Sequence, residues 1–114
     1  MGKQLSDEAL ELVAQRFKAL SEPLRLKLIM VLMDGPKNVG ELVGETRATQ
    51  ANVSRHLQTL AEAGILKRDK KGLHVYYAIS DPSVFQLCDL VCGSLEEFLK
   101  HQASAFNRSG AGTG

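Results

Sequence analysis

The chain has no tryptophan, two tyrosines, four phenylalanines, two cysteines and three prolines in 114 residues. So few aromatics leave little for a carbohydrate pocket or a platform on which bases stack. Cys88 and Cys92 are too few for a disulfide framework, and a spacing of four does not bridge within a helix without distortion, so reduced thiols are expected. No large charge excess exists either: 14 Lys+Arg against 13 Asp+Glu leave +1, without the basic total that announces many nucleic-acid binders. No apolar run approaches the roughly 18–20 residues of a membrane span. Nor does a basic start lead into an apolar stretch with a cleavage site. A cytoplasmic protein with no membrane partner is expected. Met1-Gly2-Lys3-Gln4-Leu5-Ser6 fits a loose myristoylation pattern, whose two fixed features match too often by chance to carry weight.

What is there suits one small globular domain: 44% hydrophobic residues and 24% charged ones. That length excludes a large multi-domain enzyme. The near-neutral total also hides an uneven distribution. From Arg47 to Lys71 stand Arg47, Arg55, Lys67, Arg68, Lys70 and Lys71 against Glu62 and Asp69, a block of +4 in a chain of net +1. The rest of the chain is therefore acidic, and the block is a candidate polyanion-facing patch.

Hydrophobic spacing supplies the elements. Ser6 is an N-cap before Asp7 and Glu8, and Leu10, Val13, Ala14 and Phe17 recur at helical intervals to about Ala19. Ser21-Glu22-Pro23 opens a second helix that Gly35-Pro36 stops, carrying Leu24, Leu28, Val31 and Leu32. A short segment around Val39 to Gly44 holds two turns. Thr49 caps a further helix whose buried stripe is Val53, Leu57, Leu60 and Ala61, with Gly64 as its C-terminal glycine. The period then becomes extended: Ile65 to Arg68 and His74 to Ile79 flank a polar turn at Asp69-Lys70-Lys71-Gly72, a β-hairpin. Asp81-Pro82 starts a last helix with Val84, Leu87, Cys88, Val91, Cys92, Leu95, Phe98 and Leu99 on an apolar stripe too wide for a lone surface helix. Residues 1–102 are read as one folded domain, and 103–114, rich in Ser and Gly, as a disordered tail.

The order α-α-α-α-β-β-α, mainly helical with a small hairpin, is that of a winged helix-turn-helix. A helix fits the DNA major groove, and a basic hairpin beside it reaches phosphates or the neighbouring minor groove. With Val53 and Leu57 inward, the fourth helix exposes Gln50, Ala51, Asn52, Ser54, Arg55 and Gln58. Gln and Asn pair with adenine, Arg with guanine or phosphate, and Ser and Thr with phosphate oxygens.

Several runs in order, Ala19-Leu20-Ser21-Glu22-Pro23-Leu24-Arg25-Leu26, Gly40-Glu41-Leu42-Val43, Gln50-Ala51-Asn52-Val53-Ser54-Arg55-His56-Leu57 and Leu60-Ala61-Glu62-Ala63-Gly64-Ile65-Leu66, resemble the ArsR/SmtB family of bacterial repressors. Lys71-Gly72-Leu73-His74-Val75-Tyr76-Tyr77 is similar to its wing. The resemblance spans roughly Leu10 to Leu99. It implies a homodimer paired through the first and last helices, bound to an inverted-repeat operator and leaving it when an inducer binds. It places Thr49, Gln50, Ala51, Asn52, Ser54, Arg55 and His56 at the recognition helix and Lys70, Lys71, Gly72 and His74 in the wing. His56, beside the inward Leu57, is also readable as a packing residue.

The inducer is less legible. Where the family often carries a Cys-x-Cys pair, this chain has Glu41-Leu42-Val43-Gly44-Glu45, and where it carries a zinc-type site on the last helix only Asp81 and Glu97 remain. Two carboxylates without imidazoles make a poor zinc site. The second helix offers Met30 and Met33 where a dithiol sensor would draw a cysteine. What remains is Cys88 and Cys92, one helical turn apart, a soft donor pair suited to As(III), Sb(III), Cu(I), Cd(II) or Hg(II). The same pair suits disulfide or persulfide chemistry, and core packing is an equal alternative. No cofactor is otherwise called for. Two further readings, a winged-helix module that binds protein rather than DNA and a small thiol enzyme, are disfavoured by the basic wing and by the absence of a Gly-rich anion loop or a suitably spaced histidine.

Overall fold

The computed structural model describes residues 4–113, with side chains from Gln4 to Ser104. The chain divides into two units, Met1–Asp81 and Pro82–Gly114. In the first, helices α1 (Asp7–Ala19) and α2 (Pro23–Val31) are followed by a 3-10 turn (Leu32–Asp34), strand β1 (Lys37–Asn38), helices α3 (Val39–Thr46) and α4 (Gln50–Glu62), and strands β2 (Leu66–Lys71) and β3 (His74–Ile79). The second unit is helix α5 (Ser83–Thr113).

Local chemistry fixes most boundaries. Ser6 Oγ accepts the Ala9 amide at 3.1 Å and Thr49 Oγ1 that of Asn52 at 3.2 Å, each satisfying an orphan donor of a first turn. Asn38 and Glu41 form a reciprocal capping box at α3, both bonds 2.9 Å. At the end of α4 the Ile65 amide reaches Leu60 O and the Gly64 amide reaches Ala61 O, both at 3.0 Å. Gly64 has φ +79, the left-handed conformation that this termination requires and that glycine adopts without penalty.

The core of the first unit is helical. Leu28 and Ile29 of α2, Leu32, Leu42 of α3, and Val53, Leu57 and Leu60 of α4 are buried, with Ile65, Leu66 and Tyr77 closing it from the sheet. The tight connection from α3 to α4 turns at Arg47, whose φ of 59 makes it the non-glycine exception among the described residues. Thr46 stabilises that corner by donating to Leu42 O at 2.7 Å.

Three details differ from the sequence expectation. The hairpin is part of a three-stranded antiparallel sheet of order β1-β3-β2, because Lys37 and Asn38 pair with Tyr77 and Tyr76. A two-residue strand shows no periodicity and could not be read locally. The hairpin turn is Gly72-Leu73 rather than Asp69 to Gly72, since β2 runs on to Lys71 and pairs it with His74. Finally, α5 continues to Thr113, past the expected end at residue 102. The N-terminal Met1-Gly2-Lys3 of the myristoylation-like pattern and the side chains of the expected tail from 105 on lie outside the described residues.

Candidate nucleic-acid interface

Helix α4 presents two faces. Val53, His56, Leu57 and Leu60 are buried, while Gln50, Ala51, Asn52, Arg55 and Gln58 are exposed and Ser54 is half-buried. The exposed set gathers at the N-terminal half, where the helix dipole also favours an anion. Arg55 Nη2 donates to Asn52 Oδ1 at 3.1 Å, one turn back on the same face. That bond lays the guanidinium along the helix surface instead of leaving it free, so Asn52 positions Arg55 as well as offering its own amide.

For His56 the structure shows the packing alternative. It is 5% exposed, and its Nδ1 accepts Arg25 Nε at 2.9 Å. It therefore belongs to the packed face of α4 and not to the face that offers groups to DNA. The i, i+3, i+4, i+7 spacing of Val53, His56, Leu57 and Leu60 already carried this signal. Burial in the first place, then the cationic charges of Arg55 and Arg25, hold its pKa below the ordinary histidine value, with Glu22 opposing weakly. Nδ1 carries no proton in the Arg25 contact, and Nε2 lies 3.5 Å from Arg55 Nη2.

The unfolded state takes up a proton as pH falls below about 6.5, whereas the folded state does not until lower pH, so stability declines through that window and levels below the folded-state pKa. Thermal melts between about pH 8 and about pH 5 should show this decline. His56→Asn, which keeps an acceptor without titrating, should flatten it. An unchanged profile in the variant would refute the assignment.

The sheet supplies the second half of the interface. By register, Arg68 pairs with Tyr77 and Lys70 with Val75 on one face, while Asp69 pairs with Tyr76 and Lys71 with His74 on the other. Arg68 lies 6.0 Å over the Tyr77 ring, and Lys71 lies 6.0 Å over the Tyr76 ring. Between α4 and the sheet runs an open groove of about 720 Å³ lined by Ser54, Gln58, Arg68, Val75 and Tyr77 among others. In the sequence Arg68 is one member of a basic block; its pairing with Tyr77 brings it into the groove beside α4. Lys70, Lys71, Gly72 and His74 are all exposed along the wing.

This combination of a polar helix face set against a basic two-stranded wing matches a known family. The profile described as "Bacterial regulatory protein, arsR family" covers residues 22–68, from the start of α2 into β2. An uncharacterized HTH-type transcriptional regulator of Methanocaldococcus jannaschii is 35% identical over 85 residues, which is 74% of this chain and 96% of that one. The chain belongs to the ArsR family. A cadmium resistance transcriptional regulatory protein CadC homolog of Staphylococcus aureus is 38% identical over 78 residues, 68% of this ArsR-family chain and 64% of that relative. The solution structure of a homodimeric winged helix-turn-helix DNA-binding domain of Mycobacterium bovis, a possible ArsR-family regulator, superposes with TM-score 0.72 at 30% identity, covering 89% of this chain and 95% of that one. This ArsR-family protein is thus a winged-helix transcriptional repressor that binds DNA, and not an enzyme.

The two cysteines, the candidate effector residues, lie on α5. Cys88 is half-buried and Cys92 exposed, both free thiols. Burial first, then the charges of Asp89 and Cys92, push the Cys88 thiol pKa up. Cys92 Sγ donates to Glu96 Oε1 at 3.6 Å. Among the described residues no three His, Cys, Asp or Glu side chains converge into a metal-holding group within one chain. Asp81, a surviving carboxylate of the family's zinc-type site, is bound by Arg16 at 2.9 Å. No helix among the described residues is long and apolar enough to cross a membrane.

Proposed function

We propose that this regulator is a homodimer that occupies an inverted-repeat operator and is released when a thiophilic ion such as As(III) engages Cys88 and Cys92. The observation that carries the DNA half is the exposed row Gln50, Asn52 and Arg55 beside the cations of the wing. Dimer formation is supported by two uncovered apolar faces. On α1, Leu10, Val13 and Phe17 are 51%, 41% and 53% exposed, and on α5 Leu90, Val91, Leu95, Phe98 and Leu99 are all exposed. Each such side chain contributes about 1.5–3 kcal/mol when fully buried, a reason for a second copy to cover both faces. Two-fold symmetry then dictates two half-sites.

Lys70→Ala or Lys71→Ala should weaken binding to any duplex and lower the dependence of log affinity on log salt by about 1. Fluorescence anisotropy at several salt concentrations measures this, and a wild-type affinity insensitive to salt overturns the phosphate contacts.

The ion is favoured by donor chemistry, two soft sulfurs one helical turn apart, while the burial that keeps the Cys88 thiol protonated opposes thiolate reactions with ion and oxidant alike. A soft ion displaces that proton on binding. Since one chain supplies only two thiols, the partner's pair completes the donor set. Release follows by linkage: an ion that prefers a dimer with displaced recognition helices lowers DNA affinity by the factor by which DNA lowers ion affinity. The double variant Cys88→Ser, Cys92→Ser should bind DNA normally and stay bound in As(III), Sb(III), Cd(II), Cu(I), Zn(II), peroxide and polysulfide. Release equal to wild type eliminates the thiol site; release of wild type by peroxide or polysulfide alone makes it a redox or sulfur sensor.

A further inference from the structure

The tip of the wing carries a feature that neither the fold nor the phosphate contacts use. Leu73 is 98% exposed, at the end of a hairpin whose remaining outer residues are Asp69, Lys70, Lys71, Gly72 and His74. Gly72 has φ +62 and Leu73 does not share that sign. Positive φ at the first central residue alone is the II′ pattern, which matches the twist of the flanking strands and closes the hairpin in two residues. The turn therefore holds Leu73 outward by backbone geometry, with no packing to stabilise it there. No hydrophobic burial within the chain accounts for a leucine at this position.

The surroundings of the tip point to a polyanion. Strand alternation puts Lys70 and Lys71 on opposite faces of the ribbon. On one face Lys71 and His74 are paired across the last rung. They share the Tyr76 ring, Lys71 at 6.0 Å and His74 edge-on at 6.3 Å. On the other, Lys70 follows Arg68, which lies over Tyr77. An apolar tip thus stands between two cationic flanks, on an element adjoining the exposed face of α4. A DNA minor groove, about 6 Å wide between two rows of phosphates, has the matching arrangement of charge.

We infer that Leu73 is a specificity-determining residue, seated in the minor groove beside each half-site while Lys70 and Lys71 face the phosphates on either side. This rests on the DNA-binding reading above. The chemistry then selects A·T pairs. Leucine makes no hydrogen bonds, so it favours a groove floor without the guanine 2-amino group, whose donor it would bury unpaired. A·T-rich grooves are also narrower and more negative, which strengthens the two lysine contacts. Apolar side chains inserted from the minor groove are accommodated most easily at flexible pyrimidine–purine steps.

The test begins with selection of binding sites from a randomised duplex pool by the full chain. A selected duplex is then remade with A·T or G·C pairs where the wing lies, outside the bases contacted by α4. Wild type should prefer the A·T flanks by roughly fivefold or more. Leu73→Ser should reduce that preference toward onefold with the selected central motif and the salt slope unchanged, because no charge is lost. Leu73→Met should retain it. Circular dichroism of a variant at so exposed a turn should be that of wild type. A Leu73→Ser protein with the wild-type flank preference overturns the inference. So does a change in oligomeric state with no change in flank preference, which would assign Leu73 to a protein contact. A wild-type chain that enriches no motif refutes the DNA-binding reading itself, a result distinct from a shared motif with indifferent flanks.

Discussion

Arg25→Ala should lower the unfolding free energy by about 2–3 kcal/mol, a large effect for a surface-proximal polar residue. Arg25 is half-buried, and its guanidinium serves three acceptors on two other helices. Nε donates to His56 Nδ1 at 2.9 Å, and Nη1 to Ala19 O at 3.1 Å and Lys18 O at 3.3 Å. Both carbonyls lie at the C-terminal end of α1, where a cation is favoured by the helix dipole, and Lys18 O also accepts the Ser21 amide at 3.1 Å and Ser21 Oγ at 2.7 Å. Removing the fork exposes none of these groups fully to water, so His56 Nδ1 is left buried without its donor. Urea unfolding at a fixed protomer concentration measures the loss, since a dimer's stability depends on concentration. Arg25→Lys should recover only part of it, because an ammonium does not present a rigid planar fork. A midpoint equal to wild type would show that the three bonds contribute nothing. The same contact ties the end of α1 to the buried face of α4, so DNA affinity should fall as well, by less than the fold is weakened.

For Arg55→Ala the expected result is a loss of roughly tenfold to a hundredfold in affinity for a selected duplex, about 1–3 kcal/mol, with preference relaxed at one base position per half-site. Arg55 is exposed on the proposed DNA-facing side of α4 and already oriented by Asn52 at 3.1 Å. A prearranged guanidinium loses less rotational freedom on binding than a free one. Asn52→Ala should therefore show a smaller loss at the Arg55 position in addition to any change at its own base. Anisotropy titrations against single-base variants of the duplex separate the two. Affinity of Arg55→Ala within twofold of wild type would remove Arg55 from the interface.

Which elements carry the candidate interface was legible in the sequence. Gln50, Ala51, Asn52, Ser54 and Arg55 fall on one helix and Lys70, Lys71, Gly72 and His74 on one hairpin, because cap residues, glycine positions and a change of hydrophobic period are local properties of the chain. For His56 the resemblance and the helical spacing from Val53 point to different faces, and its burial against Arg25 agrees with the spacing. Arg68 was not singled out because its partner Tyr77 is distant in sequence and strand register is not a local property. Leu73 carries no local signal either: a turn at Asp69 to Gly72 leaves it between the turn and the strand that begins at His74, and only the Lys71 to His74 pairing puts it at the tip.

The apolar stripe of α1 shows how far a periodic pattern carries. The spacing of Leu10, Val13 and Phe17 predicts a buried helix face, yet in this chain the face is exposed. Periodicity states that a face is to be covered, and it does not state by which chain.

The sequence by itself determined the helices, their caps at Ser6 and Thr49, the glycine stop at Gly64, and the winged order, since each rests on interactions within about five residues. It also determined the DNA-binding class, through residue types on an exposed helical face. Only the tertiary structure decided that His56 faces Arg25 across two helices, that β1 adds a third strand to the wing, and that the turn closes at Gly72-Leu73. These depend on which distant backbone and side-chain groups meet. Hydrogen bonds and register across 31 residues, as between Arg25 and His56, are set by packing of the whole unit and leave no mark on the local pattern.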